Sequence, residues 1–233
     1  MANDFFRFKQ FTIHQSLCGM KVGTDGTLLG AWANGGRHIL DIGTGTGLIA
    51  LMMAQRFPEA SVVGVDIDVD ACIQARRNAD DSPFCHRISV CCLDVCELEP
   101  KECYDAIVSN PPYFEHSLVS PDAKRTLARH AFTLTYADLM NHAWRLLSDN
   151  GELSVVIPAE GKAKLEAEAA LIGFFKSREC AVRTTPMKMP RRFLLAFKKH
   201  PSPSVEATEG VIETAPNVRS EWYRQLTRDF YLK

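Results

Sequence analysis

Four consecutive residues, Asn110-Pro111-Pro112-Tyr113, suit one chemical task. They can hold a flat, amino-bearing ring by its polar edge while an aromatic covers its face. The Asn110 amide oxygen and the Pro111 carbonyl can each accept one hydrogen of an exocyclic NH2. Such bonds draw the nitrogen from planar toward tetrahedral and localise its lone pair for attack. Each proline keeps the residue before it, Asn110 or Pro111, out of the helical region, so the loop is stiff and its acceptors point in set directions. Tyr113 offers a π face for stacking and for a nearby cation. None of the four is an obligatory general base; the work is positioning and electrostatic preorganisation.

Three further groups sit at the ends of strand-like runs. His38-Ile39-Leu40-Asp41-Ile42 leads into Gly43-Thr44-Gly45-Thr46-Gly47 and then into an apolar helix stopped by Pro58. Alternating glycines let backbone amides approach a ligand closely. The spacing is Gly-x-Gly-x-Gly, not the Gly-x-Gly-x-x-Gly of dinucleotide sites. Asp41, just before it, suits a positively charged ligand end better than a pyrophosphate. A second strand, Ser61 to Asp66, ends in an acid that can accept both hydroxyls of a ribose. A third, Arg87 to Cys92, is followed by Asp94, an acid able to hydrogen-bond an adenine amino group. A single such acid is ordinarily a cap or turn residue. Recurrence after consecutive strands points to one shared ligand, a nucleoside with a cationic amino-acid tail. S-adenosyl-L-methionine is such a ligand, and Asp41, Gly43, Thr44, Gly45, Gly47, Asp66, Asp94 and Asn110 are the candidate residues around it.

The elements that position these groups alternate strand with helix, which predicts an α/β fold with a doubly wound, Rossmann-like parallel sheet and helices on both faces. Ligands in such sheets bind at the carboxyl ends of the strands. We expect one domain over 1–233: a cover segment (1–36), a catalytic core (37–199), and a linker with a short helix (200–233). Phe5 to Phe11 reads as a short strand or hairpin arm. Gly23 to Gly26 reads as a turn, with Thr24 or Asp25 capping the next helix. Helices are expected over Tyr136–Leu147 and Lys162–Ile172, a strand over Glu152–Pro158, and two strands around Thr184 to Pro190. Pro201 to Ala215 reads as an extended linker, and Ser220 to Tyr231 as a terminal helix. Arg183, Lys188, Arg191, Arg192, Lys198 and Lys199 lie in a segment without acids. A solvated hairpin tip and an RNA-contacting edge explain that segment equally well. A second basic stretch, holding Lys124, Arg125, Arg129 and His130, follows the tetrapeptide.

The 233 residues carry a net charge of -1, so any nucleic-acid partner must be met by a local basic face. The first residues have neither a basic flank nor an apolar run, and no window reaches a membrane-spanning length, so a cytoplasmic protein without membrane contact is expected. The eight cysteines lack paired Cys-x-x-Cys spacing, so we expect no metal and read them as reduced, mostly buried small hydrophobes.

With these residues placed, the sequence resembles the class I S-adenosylmethionine-dependent methyltransferases that carry the amino-methylating Asn-Pro-Pro-Tyr motif. The resemblance spans roughly Leu17 to Lys199. The stretch from Met20 to Trp32, Asn110-Pro-Pro-Tyr-Phe, and Arg125 to His130 are most similar to the bacterial tRNA(Val) adenine-37 N6-methyltransferases. This resemblance implies a seven-stranded sheet whose last strand is antiparallel. It implies that Lys21, Thr24 and Asp25 help close the cofactor pocket, that Pro112 and Phe114 line the base site, and that Arg125, Arg129, Arg191 and Arg192 meet tRNA. Relatives with the same tetrapeptide methylate DNA adenine, guanine N2 of ribosomal RNA, or protein glutamine. The DNA enzymes usually carry a recognition domain, for which this chain has little room, and the glutamine enzymes an N-terminal helical domain, whereas about 37 residues precede the first strand here, so RNA is the expected polymer.

Overall fold

The computed structural model describes residues 4–19, 21–99, 102–111 and 134–232. Pro112, Tyr113, Phe114, Arg125 and Arg129 lie outside them. β1 (Phe5–Arg7) and β2 (Thr12–His14) pair as the expected antiparallel hairpin. Then follow α1 (Thr24–Trp32), β3 (His38–Ile42), α2 (Leu48–Arg56), β4 (Ser61–Asp66), α3 (Val69–Asp80), β5 (Ile88–Cys92) and β6 (Tyr104–Ser109). After the undescribed stretch come α4 (Tyr136–Leu146), β7 (Leu147–Pro158), α5 (Lys162–Ile172), β8 (Phe175–Arg183), β9 (Arg192–Lys198), β10 (Glu206–Val211), β11 (Glu213–Ala215), β12 (Val218–Arg219) and α6 (Glu221–Thr227).

The main sheet has eight strands in the order β5-β4-β3-β6-β7-β9-β8-β10. The five from β5 to β7 are parallel, and β9 runs antiparallel to both neighbours. Seven of the strands match the expected sheet with its antiparallel member. The eighth, β10, forms where a linker was expected, paired parallel to β8. It escapes sequence reading because four of its six residues are exposed, so it needs no alternating apolar face. Glu206 and Glu209 on this edge also discourage further strand addition.

Two apolar layers sandwich the sheet. On one face the hairpin, α1, α2 and α6 enclose Phe8, Ile13, Leu28, Leu51, Met52, Tyr223 and Phe230; on the other, α4 and α5 enclose Tyr136, Leu139, Leu146, Leu165 and Phe197. Gly30 lets α1 lie directly on α2, since a Cβ there would fall 2.7 Å from the Met52 sulfur. Two arginines close helix ends whose last carbonyls lack partners. Arg56 donates to the Gly30 and Ala33 carbonyls at the end of α1, and Arg87 to those of Ala54, Phe57 and Ala60 at the end of α2. α4 begins with a reciprocal capping box between Thr135 and Asp138.

Two local expectations are corrected. Gly23, not Thr24 or Asp25, is the N-cap of α1; it has no capping side chain, and Thr24 and Asp25 fall inside the first turn. Asp25 is instead drawn to Arg192 on β9, 2.8 Å away. All eight cysteines are free, but only Cys72 and Cys180 are buried, while Cys92, Cys96 and Cys103 are exposed. For Cys92 the reason is that β5 forms one edge of the sheet, and none of its own five residues is fully buried. Cys91 and Cys92, adjacent in β5, point to opposite faces, one half-buried and one exposed.

Candidate active site

Every strand-end group read from the sequence and described in the structure lies at the carboxyl edge of adjacent parallel strands. β3 is flanked by β4 and β6, with Ile42 level with Val65 and with Ser109. The Ser109 hydroxyl donates to the Ile42 carbonyl at 2.9 Å, so the strand leading into Asn110 is bonded to the strand leading into the glycine loop. Asn110 is half-buried and Pro111 buried.

The glycine loop is left-handed at Gly43 (φ 72°), Gly45 (φ 55°) and Gly47 (φ 80°), a conformation L side chains resist. A Cβ on Gly43 or Gly45 would meet no protein atom within 4 Å, so both open onto unfilled space. Gly47 instead faces inward, where a Cβ would fall 3.4 Å from Ala75 of α3. The loop amides are tied to β4, because Gly43 and Thr44 donate to the Val65 carbonyl and Gly45 donates to Asp66 Oδ2 at 2.9 Å.

Asp41 is fully buried beneath this loop. One oxygen, Oδ2, accepts from Thr44 Oγ1 at 2.7 Å and from the Ala50 amide at 3.1 Å, in the first turn of α2. The other oxygen is buried without a hydrogen-bond partner. Burial pushes the carboxyl up to about 7, the two hydrogen bonds oppose that rise, and nearby Asp66 adds to it. Asp66 also accepts from the Asp68 amide through Oδ1, so its orientation is set from both sides. Ile67 beside it is 43% exposed, an apolar surface at the crevice that the sequence reading passed over. Asp94 accepts from the Cys96 amide at 2.9 Å, capping a short 3-10 turn while staying exposed.

Lys21 is exposed at the end of the segment that leads into α1. Two polar residues on the inner face of α3 tether that segment, and sequence reading missed both. Asn78, wholly buried, accepts from the His14 amide at 2.9 Å and donates to the carbonyls of His14 and Thr46, each at 2.8 Å. Gln74, four residues earlier, accepts from the Leu17 amide at 3.3 Å. Gln15 then accepts from the Val22 amide at 2.8 Å. The available signal was an amide pair four residues apart, in phase with Ala71, Ala75 and Ala79 on an apolar face. Arg192 ties the other end of the cover through Asp25, whereas Arg191 is exposed. Among the described residues no cluster of three or more His, Cys, Asp or Glu is fit to hold a metal, and no helix is long and apolar enough to cross a membrane.

The methyltransferase small-domain family matches residues 23–189. The chain belongs to that family. A relative from Phocaeicola vulgatus, named tRNA1(Val) (adenine(37)-N6)-methyltransferase, is 48% identical over 100% of this chain and 99% of its own length. One of the same name from Trichodesmium erythraeum is 43% identical over 100% of both chains. The crystal structure of a predicted O-methyltransferase, Atu636 from Agrobacterium tumefaciens, shares the fold at TM-score 0.69 and 20% identity, over 88% of this chain and 96% of that one. For a methyltransferase the donor is S-adenosylmethionine, and the site fits it. Two glycines open a cradle that a side chain would fill, a buried carboxylate oxygen beneath it lacks a partner, and Asp66 and Asp94 follow along the crevice.

Proposed function

We propose that this chain, acting as one catalytic unit, transfers a methyl group to the exocyclic N6 of an adenosine in tRNA, at position 37 of a valine tRNA in the cytoplasm. The observation that carries the chemistry is the hydrogen bond between the ends of β6 and β3. It sets the holder of a planar amine one strand from the glycine cradle.

Bound S-adenosylmethionine supplies an electrophilic methyl on its sulfonium. Gly43 and Gly45 make room for it, Thr44 and Gly47 hold the loop in that shape, and Asp41 stands ready for its ammonium end. Asp66 suits its ribose hydroxyls and Asp94 its adenine. Asn110 Oδ1 and the Pro111 carbonyl each accept a hydrogen of the target N6 amine and raise its lone pair out of the ring. With that lone pair directed at the crevice, bound S-adenosylmethionine would supply the methyl group, and the N6 proton would pass to water. Tyr113, Pro112 and Phe114 are the candidate contacts to the base and Arg125 and Arg129 those to the RNA; all five lie outside the described residues. A target base in a folded RNA must leave its stack to reach these groups.

The test is methyl transfer from labelled S-adenosylmethionine to unmodified bulk tRNA, with nucleoside analysis of the product. N6-methyladenosine in valine tRNA is expected. N2-methylguanosine in ribosomal RNA or a labelled protein glutamine would keep the chemistry and replace the substrate. Asn110→Ala should bind the cofactor nearly as wild type and lose at least about a hundredfold in turnover, as removal of a transition-state contact does. Turnover within a few fold of wild type would remove Asn110 from the mechanism.

A further inference from the structure

The turn between β8 and β9 is built unlike an ordinary solvated loop. Thr185, Pro186, Met187 and Lys188 form a β-turn closed by the Lys188 amide on the Thr185 carbonyl at 3.1 Å, with proline in its favoured second position. The base of the loop is pinned twice: the Arg191 amide donates to the Val182 carbonyl at 3.1 Å, and the Ala159 amide donates to the Arg191 carbonyl at 3.0 Å. Pro186 and Pro190 stiffen both sides. This rigid tip holds two methionines out in water, Met187 at 95% exposure and Met189 at 78%. Scattered exposed apolar residues need no explanation, but two bracketing a lysine on a stiffened turn do. Lys188 and Arg191 are exposed and form no ion pair among the described residues, whereas Arg183 and Arg192 are engaged by Glu209 and Asp25.

The tip stands on the active-site edge. Arg192 pairs with Pro158 of β7, three residues beyond Val155, which is level with Ser109 of β6. By strand spacing and rise, the start of the tip lies about 10 Å to the side of Ser109 and about 10 Å above it. Beneath it a hollow of about 380 Å³ opens between Lys188, Met189, Pro190 and Arg191 on one side and Ala159 and Glu160 on the other. The hollow is shallow and open to solvent, with room for one unstacked base. The Glu160 carboxylate repels phosphate but accepts from the N–H edge of a base, so the hollow suits a base and the two cations suit the backbone.

We propose that residues 187–191 form a second RNA grip: Met187 and Met189 stack against a base unstacked near the target, Glu160 accepts from its edge, and Lys188 and Arg191 take the flanking phosphates. This rests on the tRNA reading above. Thioethers are polarizable and adapt to flat rings, and contacts to single-stranded bases are typically made by stacking rather than by a fixed code.

Methylation kinetics on an unmodified valine tRNA transcript, with cofactor titration alongside, test it. Lys188→Ala/Arg191→Ala and Met187→Ala/Met189→Ala should each raise KM for tRNA about tenfold, with kcat and cofactor Kd within about threefold of wild type. Only the first pair should flatten the salt dependence, by about 0.7 in logarithmic slope per lost phosphate contact. Met187→Leu/Met189→Leu, which keeps the apolar surface, should stay within about threefold of wild type. If wild type methylates tRNA and both alanine pairs keep its KM within twofold, the grip is wrong and the function stands. If wild type methylates no tRNA, both fall. Unchanged cofactor Kd in the variants separates either result from misfolding.

Discussion

Asp41→Asn probes how the cofactor crevice is built, and its effect can be worked out from the structure. Burial raises the Asp41 carboxyl from an ordinary 3.8 to about 7, because its hydrogen bonds and the first turn of α2 do not replace the lost water. A folded-state value above the unfolded one means that the native protein holds a proton the unfolded chain releases. The stability contribution is therefore fully present below about pH 4 and is lost as pH rises to about 7. At 1.36 kcal/mol per pH unit, the whole loss is roughly 4 kcal/mol, of which about 2–3 kcal/mol falls between pH 5 and 8. Asparagine is nearly isosteric and can still accept from Thr44 and Ala50, but it does not titrate. Its NH2 replaces the unpartnered oxygen at a cost of about 1–3 kcal/mol. The cofactor-free variant should thus be less stable than wild type at pH 5 and as stable or more so at pH 8. The assay is urea denaturation of both proteins without cofactor at half-unit pH steps. A wild-type-minus-variant difference that stays constant within 0.5 kcal/mol from pH 5 to 8 would refute the reasoning. The same variant should bind S-adenosylmethionine more weakly at pH 8, where wild type offers a carboxylate.

Two further outcomes follow from the geometry. Asn78→Ala removes three hydrogen bonds from a wholly buried side chain, so it should cost about 2–4 kcal/mol in chemical denaturation and weaken cofactor binding more than it lowers kcat. Asn78→Asp, which sets a buried carboxyl oxygen against the His14 and Thr46 carbonyls, should cost at least as much; cofactor titration showing no change in either variant would detach α3 from the pocket. Gly45→Ala should cost only about 1–2 kcal/mol in stability, from its left-handed backbone, yet lower cofactor affinity at least about tenfold by calorimetry, because its Cβ enters the open cradle.

Legibility divides by range along the chain. The strand-loop-helix unit at Asp41 to Gly47, the strand-end acids, and the stiff acceptors at Asn110 and Pro111 are local patterns. Periodicity, glycine spacing and proline sterics act over a few residues, so the sequence alone determined the doubly wound sheet, the cofactor class and the kind of atom methylated. The helix over residues 162–172, stopped at Gly173, was legible for the same reason: Gly173 is left-handed at φ 106°. What remained depends on partners far away in sequence. β10 has no core pattern of its own and is a strand only because β8 offers it an edge. Asp25 and Arg192, separated by most of the chain, meet only once β9 is inserted beside β7, a contact that neither residue's local pattern announces. Asn78 reads as one more polar helix residue until the packing of α3 brings His14 and Thr46 to its amide. The sequence also left open whether the basic tip was idle or an RNA edge. Tertiary structure placed that tip above the carboxyl ends of the strands, because the antiparallel β9 reverses the chain there and returns it to the active-site edge.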